Sequence, residues 1–209
     1  MSDRTKKLLG IVLFDDFEAL DVFGPVELFG MLDGVVDVRM VAAEREPVKC
    51  RQGPTVLADF AFADCPQLDL LLVPGGMGTR SAVDDPSLCA WLAQRARRTD
   101  LVMTVCTGSG LLARTGVLDG VRATSNKRAF AWARSQGPNV TWVEHARWVR
   151  DGKFATSAGV SAGMDMSLAV IAELFGPDTA ERVAGAAEYE WHRNADWDPF
   201  AALNGLGTD

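Results

Sequence analysis

The stretch LVMTVCTGSG, residues 101–110, decides the fold. It opens with a mostly apolar run, continues with Cys106 and then becomes rich in glycine. A short apolar run bounded by glycine predicts a buried strand, and the residues after it predict a helix over 108–115. A strand that turns directly into a helix has the layout of a nucleophile elbow, in which Gly108 lets the backbone pass closely. The stretch therefore predicts an α/β unit with a candidate cysteine nucleophile.

Cys106 has a second interpretation as a buried core residue, because free cysteine is among the most buried residue types. As a functional thiol at a helix N-terminus, it is expected to have a lowered pKa. The other cysteines lack this setting: Cys89 falls on a helix face, Cys65 in a loop and Cys50 in a hairpin. The pattern alone leaves both interpretations of Cys106 open.

Strand and helix patterns alternate on both sides of this stretch. They predict strands at 8–14, 36–43, 68–76, 101–105 and 121–125, and helices at 17–32, 86–98, 108–115, 127–137, 161–176 and 178–191. The segment 47–62 predicts a hairpin excursion, and 140–157 predicts strands that turn at Asp151-Gly152. Pro25 is expected to kink the first helix or to split it.

This alternation of strands and helices predicts an α/β fold of the flavodoxin-like type. It has a doubly wound, mostly parallel sheet with helices on both faces and a small β-hairpin excursion. One domain is expected over residues 1–209, with a polar and aromatic C-terminal tail from about residue 190. Whether that tail closes the site is not decided by the sequence.

The amino-acid composition and net charge disfavour several classes of function. The 209 residues carry a formal net charge of -7 and show no strong cluster of Lys and Arg, which disfavours nucleic-acid binding. Four cysteines without a C-x-x-C pair and two histidines make a structural metal site unexpected. No apolar run is long enough to span a membrane, and the first residues suit a strand better than a signal peptide. We expect a cytoplasmic protein with reduced thiols.

Three strand ends carry the candidate site, because ligands in such folds bind at the carboxyl ends of the strands. Asp21 lies in an apolar stretch after the first strand, so it is either a surface carboxylate or a buried acid or base. The Gly75-Gly76 pair is either a plain turn or an oxyanion hole beside the N–H of Thr107. Together with Cys106, these residues would form one pocket.

The two histidines are each more typical of a structural or surface role. A Cys–His dyad needs contact in space, and the sequence does not tell whether His145 or His192 approaches Cys106.

Taken together, four stretches resemble the ThiJ/PfpI superfamily, which shares the class I glutamine-amidotransferase-like fold. They are GIVLFDDFEALDVFGPVELF (10–29), LDLLLVPGGMGT (68–79), VMTVCTGSGLLARTGVLDGVRATS (102–125) and FATSAGVSAGMDMSLAVIAELFG (154–176). Within the superfamily the chain looks most like the isocyanide hydratase branch, which carries Leu-Asp near its start and Cys-Thr-Gly at the elbow.

The resemblance implies a role for each matching residue. Cys106 would be the nucleophile, Asp21 the carboxylate facing it, and Thr107 the donor of a backbone N–H and a hydroxyl. Gly75 and Gly76 would complete the oxyanion site. The resemblance also implies a homodimer without metal or organic cofactor, and a hydro-lyase that converts an isocyanide into an N-substituted formamide.

One departure separates the chain from many relatives. Asn126-Lys127 stands where they often carry a histidine, which counts against peptidase or amidase activity. Some members carry a fused helix-turn-helix module, for which 209 residues are expected to leave no room. Two alternatives remain open: glyoxalase or deglycase activity on methylglyoxal, and a non-enzymatic thiol sensor in which Cys106 oxidises to a sulfinate.

Overall fold

A seven-stranded sheet forms the centre of the computed structural model, which describes residues 6–206. The strands along the chain are β1 (Lys7–Val12), β2 (Val36–Ala42), β3 (Val48–Lys49), β4 (Thr55–Val56), β5 (Phe60–Ala61), β6 (Leu70–Val73), β7 (Leu101–Thr104), β8 (Arg122–Ala123), β9 (Thr141–Trp142), β10 (Trp148–Asp151) and β11 (Phe154–Ser157). The central sheet has the order β10-β11-β7-β6-β1-β2-β5, and only the β10–β11 pair is antiparallel.

Helices cover both faces of this sheet. They are α1 (Ala19–Gly30), α2 (Thr79–Ala82), α3 (Pro86–Arg98), α4 (Gly108–Arg114), α5 (Phe130–Gln136), α6 (Ala162–Phe175), α7 (Pro177–Ala186) and α8 (Pro199–Leu203). Buried residues of α1, α6 and α7 form one core with one face of the sheet, and those of α3 and α4 form a second core with the other. The doubly wound α/β prediction is confirmed.

The alternation of side chains along β1 explains why its sequence is apolar after Lys7. Leu9 and Ile11 join the first core, while Leu8 and Val12 join the second. Successive residues of a strand point to opposite faces, so a strand covered on both faces needs apolar residues at every position. The same reason accounts for the apolar runs of β6 and β7, which are buried along their whole length.

The order of the strands on the two sides of β1 determines where the candidate site lies. From β1 the chain moves to β2 on one side of the sheet, whereas β6 pairs with β1 on the other side. Crevices at such a switch point, beyond the carboxyl ends of the strands, are where α/β sheets bind ligands. The loops after β1, β6 and β7 therefore meet at one end of the sheet, as the sequence predicted.

Several local features differ from the predictions. The helix α1 runs unbroken with Pro25 inside it, so the predicted split is wrong. The hairpin of β3 and β4 is confirmed, and β8 pairs with β9 in a separate two-stranded parallel sheet. None of the helices in the described part of the chain has the length and hydropathy that crossing a bilayer would need.

The last predicted helix is also too long. The helix α7 ends at Ala186, and Glu188 takes a left-handed backbone conformation with φ of 48° that cannot continue a helix. A further short helix, α8, lies in the tail. It begins at Pro199 because the preceding Asp198 side chain accepts a hydrogen bond from the N–H of Phe200.

Candidate active site

Cys106 occupies a sharp elbow directly after β7. Its φ of 57° is in the left-handed region, which is uncommon for a residue other than glycine. Hydrogen bonds hold this conformation: the Cys106 N–H donates to the carbonyl of Ala158 at 3.0 Å, and the Cys106 carbonyl accepts from Ser109 Oγ at 3.1 Å and Ser125 Oγ at 3.0 Å. Such strain concentrates at functional sites and persists only where the surroundings enforce it.

Two glycines allow the neighbouring strand end to approach this elbow. A Cβ atom on Gly108 would lie 2.2 Å from the carbonyl oxygen of Val73. A Cβ atom on Gly75 would lie 2.5 Å from the backbone N of Thr107 and 2.8 Å from the Cβ of Cys106. Only glycine fits at these two positions, so the loop after β6 lies directly against the nucleophile elbow.

Asp21, in the first turn of α1, is fully buried at the same place. Its Oδ2 accepts a hydrogen bond of 2.8 Å from the N–H of Gly75, whereas its buried Oδ1 has no partner of ordinary hydrogen-bond geometry among the described residues. Burial raises the pKa of Asp21 well above its usual range, and the charge of Glu18 raises it further. The Gly75 N–H and the nearby Cys106 thiol oppose that shift in pKa only in part.

The pKa of the Cys106 thiol is also raised. Burial is the main cause, and the Asp21 carboxylate adds to it. The N–H groups of Thr107 and Val160 and the side-chain amide of Asn126 favour the thiolate and oppose the shift. The sequence predicted a lowered pKa from the helix N-terminus. Burial beside a carboxyl group outweighs that effect, because α4 has only seven residues.

The predicted residues are brought together, but the two glycine N–H groups already have acceptors. The N–H of Gly75 binds Asp21, and the N–H of Gly76 donates to Thr107 Oγ1 at 3.1 Å. The N–H groups beside the Cys106 sulfur belong instead to Thr107 and Val160. The role of Gly75 and Gly76 in holding an oxyanion stays a prediction.

Cys106 opens onto a pocket of about 580 Å³. Thr107, Asn126 and Val160 lie around the sulfur, and Arg80 and Trp132 form part of the wall. The Arg80 guanidinium lies 4.0 Å from the centre of the Trp132 ring. Up to residue 206, where the described chain ends, no residue of the aromatic tail lines this pocket, and Phe200 of the tail lines a neighbouring one.

Sequence reasoning missed Asn126 as a site residue and noted only that it replaces a histidine. Its Oδ1 accepts a hydrogen bond of 3.0 Å from the N–H of Ala129, and its side-chain amide interacts with Cys106 so as to favour the thiolate form. A Cβ atom on Gly159 would lie 2.6 Å from Asn126 Nδ2, so the loop before α6 packs on this amide. Asn126, the residue that departs from the family pattern, therefore contacts the candidate nucleophile Cys106.

Neither His145 nor His192 takes the place of the histidine that Asn126-Lys127 replaces. In the part of the chain that the structure describes, neither lines the Cys106 pocket. His145 is exposed between β9 and β10. The backbone N–H of His192 donates to Asp165 at 2.8 Å, and its ring packs near Trp197.

Other ionisable groups form ion pairs and hydrogen bonds that stabilise the fold around the site. Asp165 forms a buried ion pair with Arg147 at 2.6 Å and also accepts from the hydroxyl of Tyr189. Lys127 is buried and donates from Nζ to Thr124 Oγ1 at 2.8 Å. Between residues 6 and 206 no group of three or more His, Cys, Asp or Glu side chains is arranged to hold a metal ion.

These features define a class: an α/β protein with a cysteine on a strained elbow, facing a buried carboxyl group at the carboxyl ends of a mostly parallel sheet. The model of the DJ-1/PfpI family matches residues 6–173. The chain belongs to this family, as the four motifs indicated.

Individual relatives agree with this assignment. The chain is 34% identical over 183 residues to the isonitrile hydratase of Pseudomonas putida, covering 87% of this chain and 78% of that enzyme. The crystal structure of a ThiJ/PfpI family protein from Pseudomonas syringae matches with a TM-score of 0.79 and 32% identity, covering 88% of this chain and 76% of that one.

The family also contains regulators. The chain is 34% identical over 145 residues to the transcriptional regulator CdhR of Pseudomonas aeruginosa, but this match covers 69% of the chain and only 43% of the regulator. Family membership alone therefore does not decide between an enzyme and a regulator.

Proposed function

We propose that this protein is a cysteine-dependent hydratase that converts an isocyanide into an N-substituted formamide. One observation carries the proposal: a buried carboxyl group of raised pKa, Asp21, lies beside the Cys106 thiol, and an asparagine stands where a histidine would. Hydration of an isocyanide has no amine leaving group to protonate, so it needs a nucleophile and one acid rather than a Cys–His dyad. The similarity to an isonitrile hydratase supports the same reaction.

In the first half-reaction, Asp21 takes the proton of the Cys106 thiol. The thiolate then attacks the terminal carbon of the isocyanide and forms a carbon–sulfur bond. That carbon now carries a lone pair, and Asp21 returns the proton to it. The product is a thioimidate attached to Cys106, and Asp21 is again a carboxylate.

In the second half-reaction, water replaces the sulfur. Asp21 removes one proton from the water as its oxygen bonds to the thioimidate carbon, and this proton passes to the nitrogen. The carbon–sulfur bond then breaks, the hydroxyl becomes the formamide carbonyl, and the second water proton returns to the thiolate. The sum is one isocyanide and one water consumed for each formamide released.

The electrostatics suit this sequence of steps. Burial raises the pKa of both groups, the Asp21 carboxylate raises that of Cys106 further, and the Cys106 thiol favours the Asp21 carboxylate by a hydrogen bond. Two adjacent negative charges are therefore disfavoured, and one proton moves between the two groups. The Thr107 and Val160 N–H groups and the Asn126 amide stabilise the charge when it resides on sulfur. The pair can therefore alternate between thiol with carboxylate and thiolate with carboxylic acid.

Turnover of cyclohexyl isocyanide and of methylglyoxal by the purified protein tests the proposal. We expect the formamide from the first substrate and no conversion of the second. Cys106→Ser should abolish turnover, while Cys89→Ser, a change on the half-buried face of α3, should not. Formamide production that survives Cys106→Ser, or conversion of methylglyoxal alone, would overturn the proposal.

A further inference from the structure

The pocket beside Cys106 is cationic in a chain whose formal net charge is -7. Three arginines line it (Arg51, Arg80 and Arg128), and Glu18 is the one carboxylate among the described lining residues. Glu18 keeps its negative charge, since its partner, Gln52 Nε2 at 2.6 Å, is a neutral amide, so the three arginines outnumber one carboxylate. Positive charge in a cleft of low dielectric attracts anions more strongly than the same charge on an open surface.

Arg80 is the best positioned of the three. It is half-buried, and its guanidinium stacks on Trp132 at 4.0 Å from the ring centre. Its Nη1 donates to the carbonyl of Gly76 at 3.2 Å and to Thr79 Oγ1 at 2.8 Å. Within residues 6–206 no carboxylate lies within ion-pair distance of Arg80. The group is held rigidly, and its other N–H groups are available to a ligand.

Arg128 extends the positive charge along the same wall. It is exposed, and it forms no ion pair with any carboxylate of the described chain. Arg51 contributes less, since it lies 3.8 Å from Asp16 and is partly compensated. A planar guanidinium that is fixed and unpaired suits a carboxylate, which it can bind through two parallel hydrogen bonds.

The shape of the substrate brings these arginines within its reach. An isocyanide is linear at nitrogen and carbon, so its substituent points directly away from the carbon that the sulfur attacks. With the terminal carbon at Cys106, the substituent has to occupy the pocket that Arg80, Trp132 and Arg128 line together with Cys106.

We infer that the substrate is an isocyanide that bears a carboxylate, bound by Arg80 with help from Arg128 while its terminal carbon meets Cys106. The inference rests on the proposed hydratase function and adds the substrate class to it. It explains why a cationic wall lies beside a nucleophile that itself becomes negative.

The catalytic test compares isocyanoacetate with its neutral methyl ester. We expect kcat/KM to favour the carboxylate by about tenfold or more, as one charge-assisted hydrogen-bonded contact would give. Arg80→Gln should bring the ratio close to one. The control Arg182→Gln removes an exposed arginine of α7, far from this pocket in the fold, and should leave the ratio unchanged.

A second measurement does not depend on catalysis. Iodoacetate and iodoacetamide alkylate the same thiol but differ in charge, and peptide mass spectrometry reports the modification of Cys106 alone. We expect Arg80→Gln to lower the iodoacetate-to-iodoacetamide rate ratio at Cys106 about tenfold, with no change in Arg182→Gln.

The two measurements separate the two proposals. If neither isocyanide is hydrated but the alkylation ratio falls in Arg80→Gln, the hydratase function is wrong and the anion site stands. If the methyl ester is hydrated as well as the carboxylate, and Arg80→Gln changes neither ratio, the hydratase function stands and the inferred substrate class is wrong.

Discussion

The Asp21 carboxyl and the Gly75 N–H are joined by a hydrogen bond of 2.8 Å, which connects the first turn of α1 to the loop after β6. Gly75 in turn lies against the elbow after β7, where its missing side chain makes room for Cys106. This bond, the bond from the Gly76 N–H to Thr107 Oγ1 and the close backbone approach at Gly75 together hold the segments after three separate strands in place. The acid in the proposed reaction is also the group that fixes the geometry of the site.

Replacing Asp21 by asparagine separates these two roles. The amide oxygen still accepts from Gly75, and the buried carboxylate that its raised pKa marks as destabilising is gone, so the free energy of unfolding at pH 7 should not fall. Turnover should fall at least about a hundredfold, because the amide cannot carry the proton. The pKa of Cys106 should fall, because the negative charge that raises it is gone. Alkylation of Cys106 by iodoacetamide at pH 7 should therefore become faster while catalysis becomes slower.

Asp33→Asn is the matched control, since Asp33 is exposed beyond the end of α1. It should change neither rate. Slower alkylation in Asp21→Asn would contradict the assigned interaction between the carboxyl and the thiol.

The fold was predictable because it follows from local patterns, whereas the pattern alone left the roles of Cys106 and Asp21 open until the resemblance to the superfamily was considered. The runs at β1, β6 and β7 are almost wholly apolar, with Lys7 and Thr104 as the polar exceptions, which is typical of strands buried on both faces. The glycines after β6 and around Cys106 mark close backbone approaches that are visible in the sequence itself. The expectation that the segments of Asp21 and Cys106 lie close together follows from the rule that the carboxyl ends of parallel strands meet.

The remaining contacts depend on loop conformations that no local pattern specifies. Asn126 reaches Cys106 because the neighbouring loop takes an unusual course, with Val160 at a φ of 42°. The stacking of Arg80 on Trp132 joins residues 52 positions apart, and no sequence motif around either residue predicts this contact. The early end of α7 at Ala186 likewise depends on a left-handed residue, Glu188, that its side chain does not predict.

A methyl group at Gly75 should damage both stability and activity. The added Cβ would lie 2.5 Å from Thr107 N and 2.8 Å from Cys106 Cβ, so the two loops must move apart. We expect Gly75→Ala to lower the free energy of unfolding by about 1–3 kcal/mol, as overpacking does, and to abolish turnover. Urea unfolding and an isocyanide assay on the same preparation measure the two effects.

Gly185→Ala provides the contrast, because a Cβ atom there meets nothing within 4 Å and the residue lies inside α7. It should raise the free energy of unfolding by about 0.5–1 kcal/mol and leave turnover intact. Equal effects of the two substitutions would refute the close approach at Gly75.

The buried pair of Arg147 and Asp165 should be essential to the C-terminal tail. Asp165 binds Arg147 at 2.6 Å, and it also accepts hydrogen bonds from the Tyr189 hydroxyl and the His192 N–H. Arg147→Met leaves this carboxylate buried without its countercharge, so it should cost about 3–5 kcal/mol of unfolding free energy. Limited proteolysis should then cut the tail first, because the same side chain network fastens it to α6.

The exposed pair of Arg193 and Glu181 is the control for charge alone. Arg193→Met should change the free energy of unfolding by less than about 1 kcal/mol, as solvated pairs generally do. A loss of similar size in both variants would show that burial of the Arg147 pair does not matter.

Lys127 should make stability depend on pH in the alkaline range. Burial lowers the pKa of Lys127 from 10.5 to about 8, although Asp198 and Glu144 partly offset the shift. Between these two values the unfolded chain binds more protons than the folded one, so the contribution of Lys127 to the free energy of unfolding rises with pH.

Lys127→Met removes this group. The free energy of unfolding of the wild type minus that of the variant should therefore increase from pH 8 to pH 10.5, by at most about 3 kcal/mol. Other groups that titrate there, including Cys106, are present in both proteins and cancel in the difference. Urea unfolding at several pH values measures it, and a difference that stays flat or falls would show that the buried ammonium is not destabilised as its surroundings imply.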